Sequence, residues 1–215
     1  MTLMTAPGRA TEATSPVALL GPEPAGVRAT LPGGGAVTLR PLRHGETEPL
    51  QSIFDGMSFE ARVQRYLAGM PRLPDAMLTA LAEVDGVQHA AWLAIVAERP
   101  VGVARYVVVE PGVAELAFEV VDAHRGTGIG TLLLDAVTTV AAAHSVRRVR
   151  AALLPDNEPS RALVTKVGVR LFPARSILEG EGPLRLLDPP RIDRRAVLAL
   201  AASNTSWLNP SRVVG

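Results

Sequence analysis

Apolar positions follow no period over the first 35 residues, where Pro, Gly, Ala and Thr predominate and the stretch ends in Pro32-Gly33-Gly34-Gly35. A backbone of that composition is costly to order, so the pattern predicts a flexible N-terminal leader over 1–35. Val37 and Leu39 then alternate with Thr38 and Arg40, which predicts a first strand over 36–42. Helical spacing follows. Leu50, Ile53 and Phe54 make one apolar stripe over 46–55, and Phe59, Val63, Tyr66 and Leu67 make another behind Ser58 as N-cap. Met77, Leu78 and Leu81 share a face over 75–83. From His89 to Val121 the period shortens to two: AAWLAIVA, VGVARYVVV and VAELAFEVV are separated by Glu98-Arg99-Pro100 and Pro111-Gly112, which predicts an antiparallel meander of three strands. Residues 128–144 return to helical spacing through Ile129, Leu132, Leu133, Ala136, Val137 and Val140. A strand over 147–154, a helix over 159–167 with Pro159 in its first turn, and a strand from Val169 complete the ordered pattern. One domain over 36–185 results, and 186–215 reads as a C-terminal tail with one short helix around 196–202.

Composition narrows the chemistry. Of the 215 residues 47% are hydrophobic and 20% charged, enough to build a core. A net charge of +1 lacks the basic excess of a nucleic-acid-binding chain, so no nucleic-acid partner is expected. The longest apolar run, 131–143, is interrupted by Asp135 and is too short to span a bilayer, so no membrane partner is expected. The first residues lack the charged and continuous apolar regions of a secretion signal, and a cytoplasmic location is expected. Cysteine is absent, which excludes thiolate nucleophiles and Cys-ligated metals. The four histidines, His44, His89, His124 and His144, have no ligand spacing, so no metal is expected. Lys166 is the only lysine, and the other 21 basic residues are arginine.

The informative segment is Val120-Val121-Asp122-Ala123-His124-Arg125-Gly126-Thr127-Gly128-Ile129-Gly130, in which a strand ends, three glycines crowd a turn and an amphipathic helix starts. Glycines let successive backbone N–H groups converge without Cβ obstruction, and a helix N-terminus adds a positive dipole end, so the segment suits a phosphate or pyrophosphate. A plain strand-to-helix turn is the alternative. A P-loop would need Gly-Lys-Ser/Thr at its end, and a dinucleotide fingerprint would space its glycines G-x-G-x-x-G in an early βαβ unit; neither is present.

These residues resemble the pyrophosphate loop of the GNAT superfamily of acyl-CoA-dependent N-acyltransferases, Arg/Gln-x-x-Gly-x-Gly/Ala, through Arg125, Gly128 and Gly130. A second signature of that superfamily is similar at Asn157, Ser160, Leu163, Lys166 and Gly168, but Val164 stands at its tyrosine position and Val169 at its phenylalanine position. The resemblance covers roughly 36–180. It implies an α/β (α+β layered) fold: a mixed, mostly antiparallel twisted sheet flanked by helices, with a splayed central strand pair. It also implies acetyl-CoA as co-substrate, its pyrophosphate on Arg125, Gly126, Thr127, Gly128, Ile129 and Gly130. The pantetheine arm would run along Val120 and Val121, flanked by Asn157 and Ser160; a helix-start role is the alternative for Asn157. Met57-Ser58-Phe59-Glu60-Ala61-Arg62-Val63-Gln64-Arg65-Tyr66 and Val84-Asp85-Gly86-Val87-Gln88-His89-Ala90-Ala91 resemble segments of the bacterial Pat-type protein lysine acetyltransferase domains. Residue by residue, Arg62 and Arg65 read as a solvated helix face.

Amine acylation needs a neutral nucleophile, whereas an alkyl amine with a pKa of about 10.4 is protonated at neutral pH. A base is required. Strand alternation puts Glu115 and Glu119 on the face opposite Leu116, Phe118 and Val120. Glu115 resembles the strand glutamate that serves as general base in the superfamily's lysine acetyltransferases, with burial expected to raise its pKa; a salt bridge to Arg105 is the alternative. Glu119, about 13 Å further along, reads as a pocket-lining or structural residue. The tyrosine that serves many family members as general acid is absent at Val164, and neither Tyr66 nor Tyr106 matches that position. The resulting reading is an N-acetyltransferase acting on a small-molecule amine or a protein lysine through a ternary complex. The alternative is a non-catalytic acyl-CoA sensor of the same fold. A homodimer stays open.

Overall fold

The computed structural model describes residues 26–205. The chain runs β1 (Val27–Thr30), β2 (Ala36–Pro41), α1 (Glu48–Asp55), α2 (Phe59–Tyr66), α3 (Asp75–Ala82), β3 (His89–Val96), β4 (Arg99–Glu110) and β5 (Val113–Val120). A 3-10 turn over Asp122–His124 leads into α4 (Ile129–Ala143), β6 (Arg148–Leu153), α5 (Glu158–Lys166), β7 (Arg170–Ala174), β8 (Ile177–Pro183) and α6 (Arg194–Thr205). All eight strands form one sheet in the order β1-β2-β3-β4-β5-β6-β8-β7, antiparallel throughout except between β5 and β6. This is the mixed, mostly antiparallel sheet that the resemblance implies. Helices α1–α3 lie on the face that carries Arg105, Ala117 and Glu119, and α4 lies on the other, against Gly102 and Tyr106.

Local signals explain most elements. Ser58 caps α2 by accepting a hydrogen bond from the Ala61 N–H at 3.2 Å, and its own N–H donates to the Asp122 carboxylate at 2.5 Å, which ties the helix start to the end of β5. The β3–β4 hairpin turns on Ala97 and Glu98, both at positive φ, slightly before the expected Glu98-Arg99-Pro100; Arg99 and Pro100 already pair with Val96 and Ile95. β8, ILEGEGP, lies beyond the last strand that the hydrophobic pattern predicts. Its glycines are required by β7: a Cβ on Gly180 would lie 2.1 Å from the Arg170 carbonyl oxygen.

Two segments assigned outside the domain belong to the fold. The supposed leader contains β1, paired with β2 from Val27–Leu39 to Thr30–Ala36. Eleven of the fifteen residues of α4 are buried, more than the sheet alone can cover, and α6 supplies the second layer. The fully buried Asp135 carboxylate accepts from the Arg191 N–H at 2.6 Å and from Arg194 Nη2 at 2.7 Å, and Val197 is buried against the core. The part of the proposed tail over 194–205 is therefore docked. Residues 1–25 and 206–215 of the proposed leader and tail lie outside the described residues.

The feature that positions the site is a gap in the sheet. β5 and β6 pair only from Val113–Arg148 to Glu115–Arg150. Beyond that rung β5 continues to Val120 and β6 to Leu153 without pairing, so peptide groups of both strands face the opening.

Candidate active site

The opening leads to a cavity of about 600 Å³. One end is the glycine turn. Gly126 and Gly128 sit at φ of +72° and +99°, conformations that favour glycine, and Gly128 is the N-cap of α4. Thr127 Oγ1 donates to the His124 carbonyl at 2.7 Å and tightens the turn from within. Pro32, from the β1–β2 turn, packs against Gly128 so closely that a Cβ there would lie 2.9 Å from the proline ring. Arg125 folds back toward Asp122 at 3.4 Å. On the other side α5 crosses the turn, Leu163 approaching Gly130. The turn thus presents backbone donors and a helix dipole to an open cleft, as an anion site requires.

The other end lies between β5 and α2. Met57, Ala61, Gln64, Arg65, Tyr66 and Leu67 form its wall opposite Glu115 and Glu119. Arg65 Nε donates to the Glu119 carboxylate, and both side chains are nearly excluded from solvent, at 16% and 6% exposure. Burial works against the Arg65 charge, but the adjacent Glu119 outweighs it and raises the arginine pKa. Burial, reinforced by Glu119, pushes the Tyr66 hydroxyl up to about 12, so it stays protonated. Arg105 runs beneath this wall, donating to the Leu81 carbonyl at 2.7 Å and lying 3.3 Å from His89 Nε2. Burial lowers its pKa to about 10, and its Nε and Nη2 have no hydrogen-bond partner among the described residues.

Most residues singled out from sequence come together here. Glu115, Val120, Arg125, Gly126, Gly128, Ile129, Gly130, Asn157 and Ser160 all line the cavity. Thr127 and Val121 do not. The Val121 N–H is committed to the Val101 carbonyl at 2.9 Å and its side chain packs on Gly56, so the chain has already left the open strand edge. Asn157 caps α5 by accepting from the Ser160 N–H at 3.2 Å, the helix-start role, while remaining in the cavity wall.

Three expectations are corrected. Glu115 is exposed rather than buried, because β6 pairs no further than its rung and no helix covers it; the buried carboxylate is Glu119. Arg105 does not pair with Glu115, since it sits opposite Ala117 and points to α3. Arg62 and Arg65 are not a solvated face. Arg62 lies 4.1 Å over the Phe54 ring and donates to the Phe54 and Pro71 carbonyls. Arg65 went unrecognised as a partner of Glu119 because the two are 54 residues apart; the shared strand face of Glu115 and Glu119 was the only signal available.

The profile of the Acetyltransferase (GNAT) family matches residues 58–169, from the α2 cap through the glycine turn to the end of α5. The chain belongs to the GNAT acetyltransferase family. Val164, at the tyrosine position of its second signature, is buried in the cavity wall. An acetyltransferase of Pseudomonas aeruginosa is 28% identical over 144 residues, covering 65% of this chain and 77% of that protein. The acetyltransferase Pat of Mycolicibacterium smegmatis is 31% identical over 136 residues, covering 60% of this chain; the match spans 40% of the Pat length. The GNAT domain of S. lividans PAT superposes with a TM-score of 0.68 at 26% identity, covering 74% of this chain and 97% of that domain. Among the described residues no group of His, Asp and Glu could hold a metal ion, and no helix is long and apolar enough to cross a membrane.

Proposed function

We propose that this GNAT protein transfers the acetyl group of acetyl-CoA to a primary amine, with a protein lysine as the acceptor class, and that Glu115 is the general base. The observation that carries the reading is the continuity of one cavity from the glycine turn, through the gap between β5 and β6, to Glu115 and the α2 wall. In this reading the backbone N–H groups from Gly126 to Gly130 hold the pyrophosphate, while Val120, Asn157 and Ser160 flank the pantetheine arm. Unpaired peptide groups of β5 beyond Glu115 face the thioester, and a backbone N–H there polarises its carbonyl. Glu115 takes a proton from the acceptor ammonium, directly or through water, and the neutral nitrogen attacks the thioester carbon. The attacking nitrogen gives up its second proton to water as the C–S bond breaks, and the CoA thiolate takes a proton from water in return, since Val164 offers none.

Two features support Glu115 over Glu119 as the base. Glu115 stands at the last paired rung, where the gap opens. It also forms no ion pair among the described residues: Arg150, its neighbour across the rung, is engaged by Glu110 and Glu181. Glu119 is already committed to Arg65. The lysine acceptor rests on the likeness to Pat, and a cytoplasmic location follows from where acetyl-CoA and protein lysines meet. Replacement of Glu115 by Gln tests the mechanism. The expected result is unchanged acetyl-CoA affinity with kcat about 10²- to 10⁴-fold lower at neutral pH and partly recovered at high pH. Unchanged kcat would remove Glu115 as base. Equal inactivity of wild type and variant across amine and protein acceptors would favour the acyl-CoA sensor.

A further inference from the structure

Three described residues in the cavity wall carry a full positive charge: Arg65, Arg125 and Lys166. Two are committed, Arg65 to Glu119 and Arg125 to Asp122. Lys166 forms no ion pair among the described residues. It is exposed, at the last turn of α5. Its position relative to the anion site is fixed by Leu163, one turn earlier on the same helix face, which approaches Gly130. Ser160, Leu163 and Lys166 thus form a row along the cavity, with the spare cation one turn beyond the crossing.

A cation in the last turn of a helix also complements the helix dipole. Arginine serves that purpose equally, and arginine is this chain's usual cation, at 21 of 22 basic positions. The one lysine stands in the wall of the cavity. Lysine differs from arginine in presenting a compact ammonium at the end of a flexible stem, suited to a point contact with a phosphate.

We infer that Lys166 binds the ribose 3′-phosphate of the acyl-CoA. This rests on the acetyl-CoA reading above and extends it to a part of the molecule that the glycine turn does not serve. The turn meets the pyrophosphate, whereas the 3′-phosphate is a separate phosphomonoester carrying about −1.5 to −2 at neutral pH. Lys166 is the cation left for it.

Isothermal titration of wild type, Lys166→Ala and Lys166→Arg with CoA and with 3′-dephospho-CoA tests the assignment. The expected pattern is that wild type binds CoA about tenfold more tightly than dephospho-CoA, the scale of one partly solvated charge-assisted hydrogen bond. Lys166→Ala should lose that preference by weakening CoA alone, and Lys166→Arg, which keeps the charge but not the compact ammonium, should restore it only in part. Equal weakening of both ligands in Lys166→Ala would move the contact to the pyrophosphate and overturn the inference. Unchanged affinity for both would leave Lys166 as a helix-end charge, overturning it while the function stands. Failure of wild type to bind either ligand would remove the function proposal itself.

Discussion

Replacing Arg65 by Met removes the cation from a pair that the fold has sealed and leaves the Glu119 carboxylate in a space only 6% open to solvent. Methionine fills much of the arginine stem's volume, so the change isolates charge from packing. Breaking a buried ion pair in this way costs about 3–5 kcal/mol, because the remaining charge is uncompensated. In a chain of this length each kcal/mol shifts Tm by about 2–4 °C, so a fall of roughly 6–20 °C is expected. Glu119→Leu should cost less, because Arg65 keeps a long stem, 16% exposure and the nearby charge of Glu115. The double variant Arg65→Met/Glu119→Leu leaves no orphan charge and should recover most of the loss, with a coupling of about 2 kcal/mol or more. Urea unfolding followed by far-UV circular dichroism gives all four corners of the cycle. A loss below about 1 kcal/mol in Arg65→Met, the range of an exposed pair, would refute the claim that α2 seals this ion pair. So would strict additivity in the double variant.

Other consequences follow from the same contacts. Gly128→Ala combines a Cβ 2.9 Å from Pro32 with a φ of +99°, and it should weaken acetyl-CoA binding by more than tenfold in titration; a normal affinity would separate the turn from the cofactor site. Asp135→Ala strands the Arg194 guanidinium and the Arg191 N–H, and should destabilise the protein by about 3–5 kcal/mol with early protease cleavage ahead of α6; wild-type resistance would show that α6 docks without it. Burial lowers the pKa of His89 and His144 in the fold, with Arg105 adding to the effect at His89. Because the unfolded chain then binds protons first, their contribution to stability is present above about pH 6.5 and is lost as pH falls below it. The urea midpoint should drop between pH 7.5 and 5.5, less so in His89→Gln/His144→Gln, and a flat wild-type profile would contradict this.

Much of the architecture was legible in the chain because the signals that specify it are local. The two-residue alternation of β3 to β5, the apolar stripe of α4 and the Ser58 cap depend on neighbours a few positions away, and they appear where the pattern puts them. So does the glycine turn, since positive φ at Gly126 and Gly128 is a demand on single residues. β8 was lost for the converse reason: Gly180 and Gly182 answer to the backbone of β7 and its approach, a contact with no trace in their own segment. α6 was underread because its docking depends on Asp135, some 60 residues earlier.

The sequence by itself determined the order of the elements from β2 to β7, the glycine turn ahead of α4 and the presence of two carboxylates on one face of β5. Only the tertiary structure decided how those carboxylates differ. Glu119 is covered by α2 and neutralised by Arg65, while Glu115 stands open at the rung where β5 and β6 part. Alternation along a strand fixes which face a side chain takes, but burial and charge partners are set by whatever the rest of the chain packs onto that face.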